Sequence, residues 1–190
     1  MNSLEILDFW FQELEPKDWF NGGDRVDNLI RARFEQSIEK VYSGELADWL
    51  STPQGRLASI ITLDQFPRNI YRRTPRSFGY DDKAVAWCVE GIENGSDTKL
   101  KPIERVFYYL PLEHSEKMEH QDLSLERFAN IVTSVKPEER QKFREFLHYA
   151  WRHYEIVKRF GRYPHRNDIL GRESSDKEKN FLEQPGSSFL

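Results

Sequence analysis

The chain has 190 residues, a formal net charge of −4, one cysteine, and 13 Phe, 8 Tyr and 5 Trp. This length fits a single domain, residues 1–190, and the many aromatic side chains argue against disorder, since each buried ring removes roughly 150–250 Å² from water. The lone Cys88 excludes an internal disulfide and a thiolate zinc cluster, and a pI near 5.8 argues against a nucleic-acid-binding domain.

Helical periodicity runs through the whole chain, because apolar residues recur three and four positions apart and turn residues separate the periodic segments. No segment alternates with period two for long enough to form a strand. We therefore predict an all-α fold, a compact bundle of antiparallel helix pairs with no significant sheet. The predicted helices run from the N-cap Ser3 to just before Pro16, and then from about Asp24 to Tyr42, Gly55 to Phe66, Asp81 to Glu93, Pro102 to Leu110, Asp122 to Val135, Pro137 to Phe160, His165 to Leu170 and Ser175 to Leu182.

Prolines and caps set several of the predicted helix ends. Pro67 is expected to end the third helix, after which residues 68–80 form an irregular connector. Pro111 is expected to disturb the fifth helix. Ser175 and Glu178 have the spacing of a capping box, which predicts the start of the last helix.

The longest predicted helix places its apolar residues on one face. His153 lies at the edge of this face, where a histidine is either a core residue with its hydrogen bonds satisfied or an acid or base near neutral pH. The predicted inward residues are Phe143, Phe146, Leu147, Ala150, Trp151, Tyr154 and Val157.

Asp64 lies on the apolar face of the third helix and near its C-terminus, where a negative charge is unfavourable. A partly buried carboxylate at this position needs a partner, and Arg68 follows four residues later. Two interpretations stay open. The pair either only orders the turn, or Asp64 is a site carboxylate that Arg68 orients.

Glu113 and His114 are adjacent and follow the helix-breaking Pro111. An irregular backbone there would aim both side chains into one cavity. The alternative is a solvated turn before the next helix.

Arginines are concentrated in two connectors of this acidic chain, residues 68–76 and residues 158–172. Arginines at such positions either cap helix C-termini or bind an anion. In the second connector, Pro164 would open a short helix whose free N–H groups, together with Arg162 and Arg166, would form an anion site. A purely structural turn is the alternative.

Several short motifs carry a family resemblance over nearly the whole chain. They are ILDFWF at 6–11, LDQFPRN at 63–69, PLEHSE at 111–116, RFGRYPHRN at 159–167 and LGRES at 170–174. In this order they resemble the bacterial domain-of-unknown-function family 924. The resemblance implies a fold of the tetratricopeptide-like helical superfamily and supplies no catalytic residue, because no activity is assigned to the family. Arg73 stands where the family more usually has a small residue, as in a Tyr-Arg-Gly-Thr-Pro turn, which leaves the backbone conformation of this connector open.

The leading hypothesis is a site between helices for a small anionic ligand, with acid–base chemistry of the hydrolase type. The candidate proton-transfer residues are Asp64, Glu113, His114 and His165, and the candidate ligand-binding residues are Gln65, Arg68, Asn69, Arg162, Arg166 and Asn167. No metal and no cofactor is expected, since the chain has no His-Glu-x-x-His pattern, phosphate loop or dinucleotide fingerprint. The alternative is a tetratricopeptide-like module that binds a protein or peptide without catalysis, with the aromatic N-terminal helix as one docking surface.

The expected partners exclude nucleic acid and membrane. The longest uncharged stretch near the middle of the chain, Leu57 to Leu63, is far shorter than a membrane span, and the acidic N-terminus has neither the basic start nor the cleavage site of a secretory signal. We therefore expect a cytoplasmic location. The sequence does not indicate an oligomeric state.

Overall fold

The structure is a computed structural model that describes residues 2–188, and within this range it contains nine α-helices and no β-strand. The prediction of the all-α class is confirmed. The α-helices are α1 (Ser3–Asp8), α2 (Asp18–Asn21), α3 (Gly23–Ser43), α4 (Pro53–Ile70), α5 (Asp81–Glu93), α6 (Pro102–His114), α7 (Met118–Ser134), α8 (Arg140–Phe160) and α9 (Asp176–Leu182). A π-helical turn, Phe9–Glu13, extends α1, and short 3-10 helices lie at Ala47–Ser51, Pro75–Phe78, Asp97–Lys99, Pro137–Glu139 and Pro164–Arg166.

The chain divides into two compact units. The first unit comprises the described part of residues 1–72 together with residues 76–111. The second unit comprises residues 73–75 and the described part of residues 112–190, so the boundary falls inside α6. The single domain over residues 1–190 stays a prediction.

In the first unit, α4 packs against α1, α3 and α5. Nearly every residue of α4 between Gly55 and Ile70 is buried, because neighbouring helices cover several of its faces. The aromatic rings of the N-terminal segment complete this core: Trp10 is fully buried and lies 5.8 Å from the Phe66 ring and 5.5 Å from the Phe107 ring. Packing therefore accounts for most of the aromatic residues near the N-terminus.

Two prolines lie inside helices that they were expected to end or disturb. α4 continues through Pro67 to Ile70, and α6 continues through Pro111 to His114. The predictions that Pro67 ends its helix and that Pro111 breaks the helix before Glu113 and His114 are therefore wrong. Glu113 is buried within α6 and lies neither in an irregular segment nor in a solvated turn. Proline removes one backbone hydrogen bond and crowds the preceding turn, but the close packing of α4 on its neighbours outweighs that local cost.

Three other predicted boundaries also differ. Asn2, rather than Ser3, caps α1 by accepting a hydrogen bond from the Leu4 N–H at 3.1 Å. The predicted helix over 165–170 is only the 3-10 turn Pro164–Arg166, because the Asn167 side chain bonds to residues further along the chain instead of supporting a helix. α7 begins four residues earlier than predicted, at Met118.

In the second unit, α7 and α8 form a packed pair, and α9 contacts the 3-10 turn Pro164–Arg166. The core around the end of α8 contains Ile156, Val157 and Tyr163. Gly161 ends α8 in the left-handed conformation, with φ of 68°, as a glycine at this position commonly does.

α8 is rotated relative to the predicted inward face. His153 and Ile156 are buried, whereas Trp151, which was predicted to point inward, is 48% exposed. The prediction for Trp151 is wrong because it counted only apolar and aromatic residues as inward and left His153 at the edge of that face. A histidine can be buried when its polar atoms have partners, and Nδ1 of His153 lies 2.9 Å from both Glu113 and the Tyr149 carbonyl.

None of the helices described in residues 2–188 has both the length and the apolar character needed to cross a bilayer.

Candidate functional site

The predicted site residues fall into two groups, one in each unit. Those of the first unit, together with Asp81, form what we call the Asp64 cluster. Its members are Asp64, Gln65, Arg68, Asn69 and Asp81. Those of the second unit surround what we call the Glu113 cluster, which consists of Glu113, His114, His153, Tyr163, His165 and Arg166.

The centre of the Asp64 cluster is a fully buried carboxylate. Nη1 of Arg68 lies 3.2 Å from one Asp64 carboxylate oxygen and also donates to the Asp64 backbone carbonyl at 2.8 Å. Gln65 donates to the other carboxylate oxygen at 2.6 Å. Both oxygens of Asp64 are thus held by fixed donors from its own helix.

Arg68 also makes a two-pronged ion pair with Asp81 at the start of α5, with N–O distances of 2.7 and 2.8 Å. One guanidinium therefore serves two carboxylates, and the three charges together are net negative. A site with this balance repels an added anion. The geometry fits the interpretation in which Asp64 and Arg68 order the end of α4.

Asn69 links this cluster to a second ion pair. Its amide donates to the Gln65 carbonyl at 3.0 Å and its oxygen accepts from Arg72 at 3.3 Å. Arg72 in turn bonds Asp27 of α3 through two contacts of 2.8 and 3.0 Å. Asn69 thus helps to tie the last turn of α4 to α3.

The Glu113 cluster is built on a carboxylate–imidazole pair whose members are both more than nine-tenths buried. Nδ1 of His153 lies 2.9 Å from Oε1 of Glu113 and 2.9 Å from the Tyr149 carbonyl oxygen. A backbone carbonyl can only accept a hydrogen bond, so Nδ1 of His153 carries a proton. In neutral His153 the lone pair is therefore on Nε2.

Tyr163 packs against this pair and fixes the backbone behind Glu113. Its ring centre lies 5.6 Å from that of His153, and its hydroxyl donates to the Glu113 carbonyl and accepts from Gln121 at 2.9 Å. Burial raises the pKa of Tyr163 well above its usual value, so the hydroxyl stays protonated and acts as a fixed donor.

The two remaining histidines lie at the edge of the cluster and are partly exposed. The His114 ring is 6.2 Å from the His153 ring, and the His165 ring is 5.5 Å from the Tyr163 ring. Burial, followed by the charge of Arg166, lowers the pKa of His165 to about 3. His165 is therefore uncharged at neutral pH, which suits a hydrogen-bonding role better than the proton transfer predicted from the sequence.

Arg166 supplies a buried positive charge to the cluster. It is 7% exposed, donates to the His114 carbonyl at 2.9 Å, and lies with its guanidinium 4.6 Å from the centre of the Tyr163 ring. This cation also acts on the nearby Glu116 carboxylate, whose pKa it helps to lower.

Glu116 and Arg172 clamp the backbone of Tyr163. Their two contacts measure 2.7 and 2.9 Å, and Glu116 also accepts from the Tyr163 N–H at 2.7 Å. Burial acts to raise the pKa of Glu116, but the hydrogen bonds from Arg172 and Tyr163 outweigh it and lower the pKa. Glu116 thus stays ionised as a support for the cluster.

Arg162 and Asn167 both bond to Glu178 instead of joining the Glu113 cluster. Arg162 holds the Glu178 carboxylate at 2.7 and 2.9 Å, and Asn167 donates to it at 3.3 Å. The hydrogen bond from Arg162 is the largest cause of a strongly lowered pKa of Glu178. Glu178 also completes the predicted capping box with Ser175, which is confirmed.

Sequence reasoning singled out His153 as ambiguous and left it outside the predicted site, and it did not find Tyr163 or Gln121. The burial of His153 follows from its spacing to Ala150 and Val157, both of which are buried. Its pairing with Glu113 joins residues 40 positions apart, and no local pattern reveals that contact. Within residues 2–188, no three His, Cys, Asp or Glu side chains come together in a way that could hold a metal ion.

Comparison with known proteins places the chain among proteins of unknown function. The model of a family described as a bacterial protein of unknown function, DUF924, matches residues 6–186. A solved structure of a protein of unknown function from Agrobacterium tumefaciens is 35% identical, with a TM-score of 0.84 and coverage of 95% of this chain and 96% of that one. No curated protein matches the chain.

Proposed function

The chain belongs to the bacterial family of unknown function DUF924, and we propose that its second unit carries an acid–base site for a small anionic molecule. One observation carries this proposal. The buried Glu113 carboxylate accepts from Nδ1 of His153 at 2.9 Å, which supports Nε2 as the nitrogen that would accept a proton in the proposed reaction. A carboxylate that orients an imidazole in this way is a recurring arrangement for general-base chemistry.

In the proposed chemistry, neutral His153 accepts a proton at Nε2 from a water molecule. The proton on Nδ1 remains there, and the Glu113 carboxylate stabilises the imidazolium that forms. The oxygen of the activated water forms a bond to the electrophilic centre of the ligand, the bond from that centre to the leaving group breaks, and Nε2 returns the proton to the leaving group. Hydrolysis is the natural reaction class, because water supplies the attacking oxygen and nothing is oxidised or reduced.

The surroundings of the pair favour an anionic ligand or an anion formed during the reaction. Arg166 is a permanent cation in the cluster, and the imidazolium of His153 adds a second positive charge as the proton moves. The partly exposed His114 and His165 are the members placed to contact a ligand from solvent, with His165 as a neutral hydrogen-bonding group.

Asp64, Gln65, Arg68 and Asn69 have a structural part in this proposal. Their donors and acceptors are directed at one another and at Asp81, and the net negative balance disfavours an anionic ligand. The proposed site therefore keeps Glu113, His114, His165 and Arg166 from the sequence-based set and adds His153.

Hydrolysis of activated esters tests this proposal without a known substrate. Wild type is assayed against p-nitrophenyl acetate and p-nitrophenyl phosphate, beside His153→Gln and the control His148→Gln, which changes an exposed histidine of the same helix. We expect turnover above background in wild type and the control, and a loss of about 100-fold or more in His153→Gln. Equal rates in all three proteins would contradict the proposal.

A fold control belongs to the same experiment. The far-ultraviolet circular dichroism and melting temperature of His153→Gln are compared with those of His148→Gln. Lower turnover counts only if His153→Gln melts cooperatively and stays folded at the assay temperature. If it does not, Glu113→Gln, which keeps the volume and the hydrogen-bonding oxygen, replaces it.

A second candidate function, a module that binds a protein partner, is supported by the outer face of α8. Trp151 and Tyr149 are 48% and 50% exposed, and the His148 ring stacks 6.0 Å from the Trp151 ring. A groove of about 420 Å³ lies along the same face, lined by Gln141, Arg144, Glu145, His148 and Tyr149. Two half-exposed aromatic side chains on one helix are typical of an interaction surface.

Crosslinking distinguishes this second function. A photoreactive amino acid at position 151 should capture one stoichiometric partner that the same probe at Tyr42, another exposed aromatic position, does not capture. The absence of any such partner, or equal capture from both positions, would count against the binding module.

A further inference from the structure

The surface of the second unit has an open groove of about 670 Å³ next to the end of α8 and the start of α9. This volume lies within the roughly 300–1,000 Å³ of small-molecule sites and greatly exceeds the space needed by one inorganic anion. We call it the α8–α9 groove. Its lining residues are Arg159, Phe160, Arg162, Ser175, Lys177 and Glu178.

The α8–α9 groove is positive although the whole chain is negative. Three cations line it and one carboxylate opposes them. That carboxylate, Glu178, already accepts from Arg162 through both oxygens, and it also accepts from the Ser175 N–H at 2.8 Å and hydroxyl at 2.9 Å. The negative charge of Glu178 is therefore already paired with Arg162 within one wall of the groove.

The other two cations keep their charges unpaired. Within residues 2–188, the ion pairs of this region join other residues, and none includes Arg159 or Lys177. Arg159 is instead held by aromatic rings, with its guanidinium 4.7 Å from the centre of Phe160 and 5.5 Å from that of Phe181. Stacking of this kind fixes the plane of the guanidinium and leaves its N–H donors directed away from the rings.

The backbone at the start of α9 is not part of the proposed site. Two of its N–H groups are already bonded in the capping box, where Ser175 accepts from the Glu178 N–H at 3.3 Å and Glu178 accepts from the Ser175 N–H at 2.8 Å. The proposal therefore rests on side chains. Arg159 offers a planar fork that matches phosphate oxygens, and Lys177 offers a mobile point charge.

We propose that the α8–α9 groove binds an organic phosphate. Arg159 and Lys177 bind the phosphate oxygens, Phe160 contacts the organic part, and the Arg162–Glu178 ion pair forms a fixed wall. A phosphate fits better than a single carboxylate because two separate cations can each take different oxygens of one dianion. This site is distinct from the Glu113–His153 pair, and the proposal does not depend on the proposed acid–base function.

NMR titration of the full chain tests the groove with two probes, sodium phosphate and phenyl phosphate, at constant ionic strength. We expect saturable shifts at the amides of residues 159–162 and 175–181, with phenyl phosphate binding at least about threefold tighter because its ring contacts Phe160. Sodium acetate, the carboxylate control, should bind more weakly than either probe. Shifts that do not saturate, or equal affinity for all three anions, would overturn the proposal.

Variants locate the bound probe. Arg159→Ala combined with Lys177→Ala should weaken phenyl phosphate binding by at least about tenfold, because both unpaired cations are lost. Lys158→Ala removes an exposed lysine outside the groove and should change affinity less than about twofold. Equal losses in both proteins would show nonspecific attraction to positive charge and would overturn the proposal.

His153→Gln separates this proposal from the acid–base function. The variant should keep the phenyl phosphate affinity of wild type, because His153 does not line the groove. Loss of groove binding in His153→Gln would contradict a separate site, whereas loss of ester hydrolysis alone would leave the groove unaffected.

Discussion

The Asp64 cluster and the Glu113 cluster use similar residues near helix ends, yet they differ in which charges can change. In the Asp64 cluster, Arg68 holds two carboxylates at 2.7 to 3.2 Å, and a guanidinium keeps its proton under all ordinary conditions. In the Glu113 cluster, the partner of the carboxylate is the imidazole of His153, a group that can gain or lose a proton. Permanent ion pairs fix a structure, whereas a carboxylate–imidazole pair can also carry out proton transfer.

This difference explains why composition and spacing alone do not identify a site. Asp64 and Arg68 attracted attention as an acid and a base four residues apart, and they do pair. The contact that decides their role is the one from Arg68 to Asp81, which saturates the cation. A buried charge with every partner in place contributes to the fold and leaves little electrostatic potential for a ligand.

Removing Arg68, the permanent cation of the Asp64 cluster, is the strongest test of the difference between the two clusters. Arg68→Met leaves Asp64 buried without its cation, which should lower the free energy of unfolding by about 3–5 kcal/mol. Arg68→Lys keeps the charge but loses the two-pronged geometry and should cost about 1–2 kcal/mol. Chemical denaturation measures both. Similar, small effects of the two substitutions would show that Asp64 does not depend on Arg68.

Acid unfolding tests the Glu113 cluster, because the pKa of its member His165 differs between the folded and the unfolded chain. The pKa of His165 is lowered from 6.5 to about 3 in the folded chain, so the unfolded chain takes up this proton first as the pH falls. Its contribution to stability is complete above pH 6.5 and decreases by about 1 kcal/mol per pH unit between 6.5 and 3.

His165→Asn should remove this part of the pH dependence. Free energies of unfolding measured at several pH values between 7 and 4 should decrease less steeply in the variant than in wild type, by about 1 kcal/mol per unit. The variant's value at the highest pH gives the baseline cost of the substitution. Parallel curves for the two proteins would contradict the burial of an uncharged imidazole at this position.

Glu113→Gln tests whether the carboxylate–imidazole pair contributes less to stability than the Asp64 cluster. The amide oxygen of glutamine can still accept from Nδ1 of His153, so we expect a loss of only about 1–2 kcal/mol in denaturation. A loss as large as that of Arg68→Met would mean that the Glu113 charge is as essential to the fold as the Arg68 charge, and the comparison would fail.

The smallest expected effect concerns Arg73, outside both clusters. Arg73 has a φ of 58°, in the left-handed region that non-glycine residues adopt at a cost. Arg73→Gly should raise the free energy of unfolding by about 1 kcal/mol, whereas Arg73→Ala should give no such gain, because alanine retains the Cβ atom. Equal effects of both substitutions would assign the change to the lost side chain.

The sequence predicted those parts of the fold that local chemistry determines. The bounds of α5, the capping box of Ser175 and Glu178, and the end of α8 at Gly161 follow from residues within one or two helical turns. The continuation of α4 through Pro67 and the exposure of Trp151 depend on packing between helices, which a local pattern does not contain.

The same limit applies to the candidate site. The pairing of Asp64 with Arg68 follows from their spacing along one helix. The arginine content of residues 158–172 predicts an anion site in that segment. The partners that give these residues their roles, Asp81 for Arg68 and His153 for Glu113, come from other helices. Residue types and spacings therefore reduced the number of candidate site residues. Only tertiary contacts separate those that support the fold from those that could take part in chemistry.

The protonation state of His153 tests the central claim most directly. Long-range proton–nitrogen NMR correlations of the imidazole side chains in the full chain report which ring nitrogen carries the proton in the neutral form. We predict a proton on Nδ1 and a lone pair on Nε2 of His153, and an Nδ1 signal that shifts in Glu113→Gln relative to wild type. A neutral ring with its proton on Nε2, or a spectrum of His153 that does not change in Glu113→Gln, would contradict it.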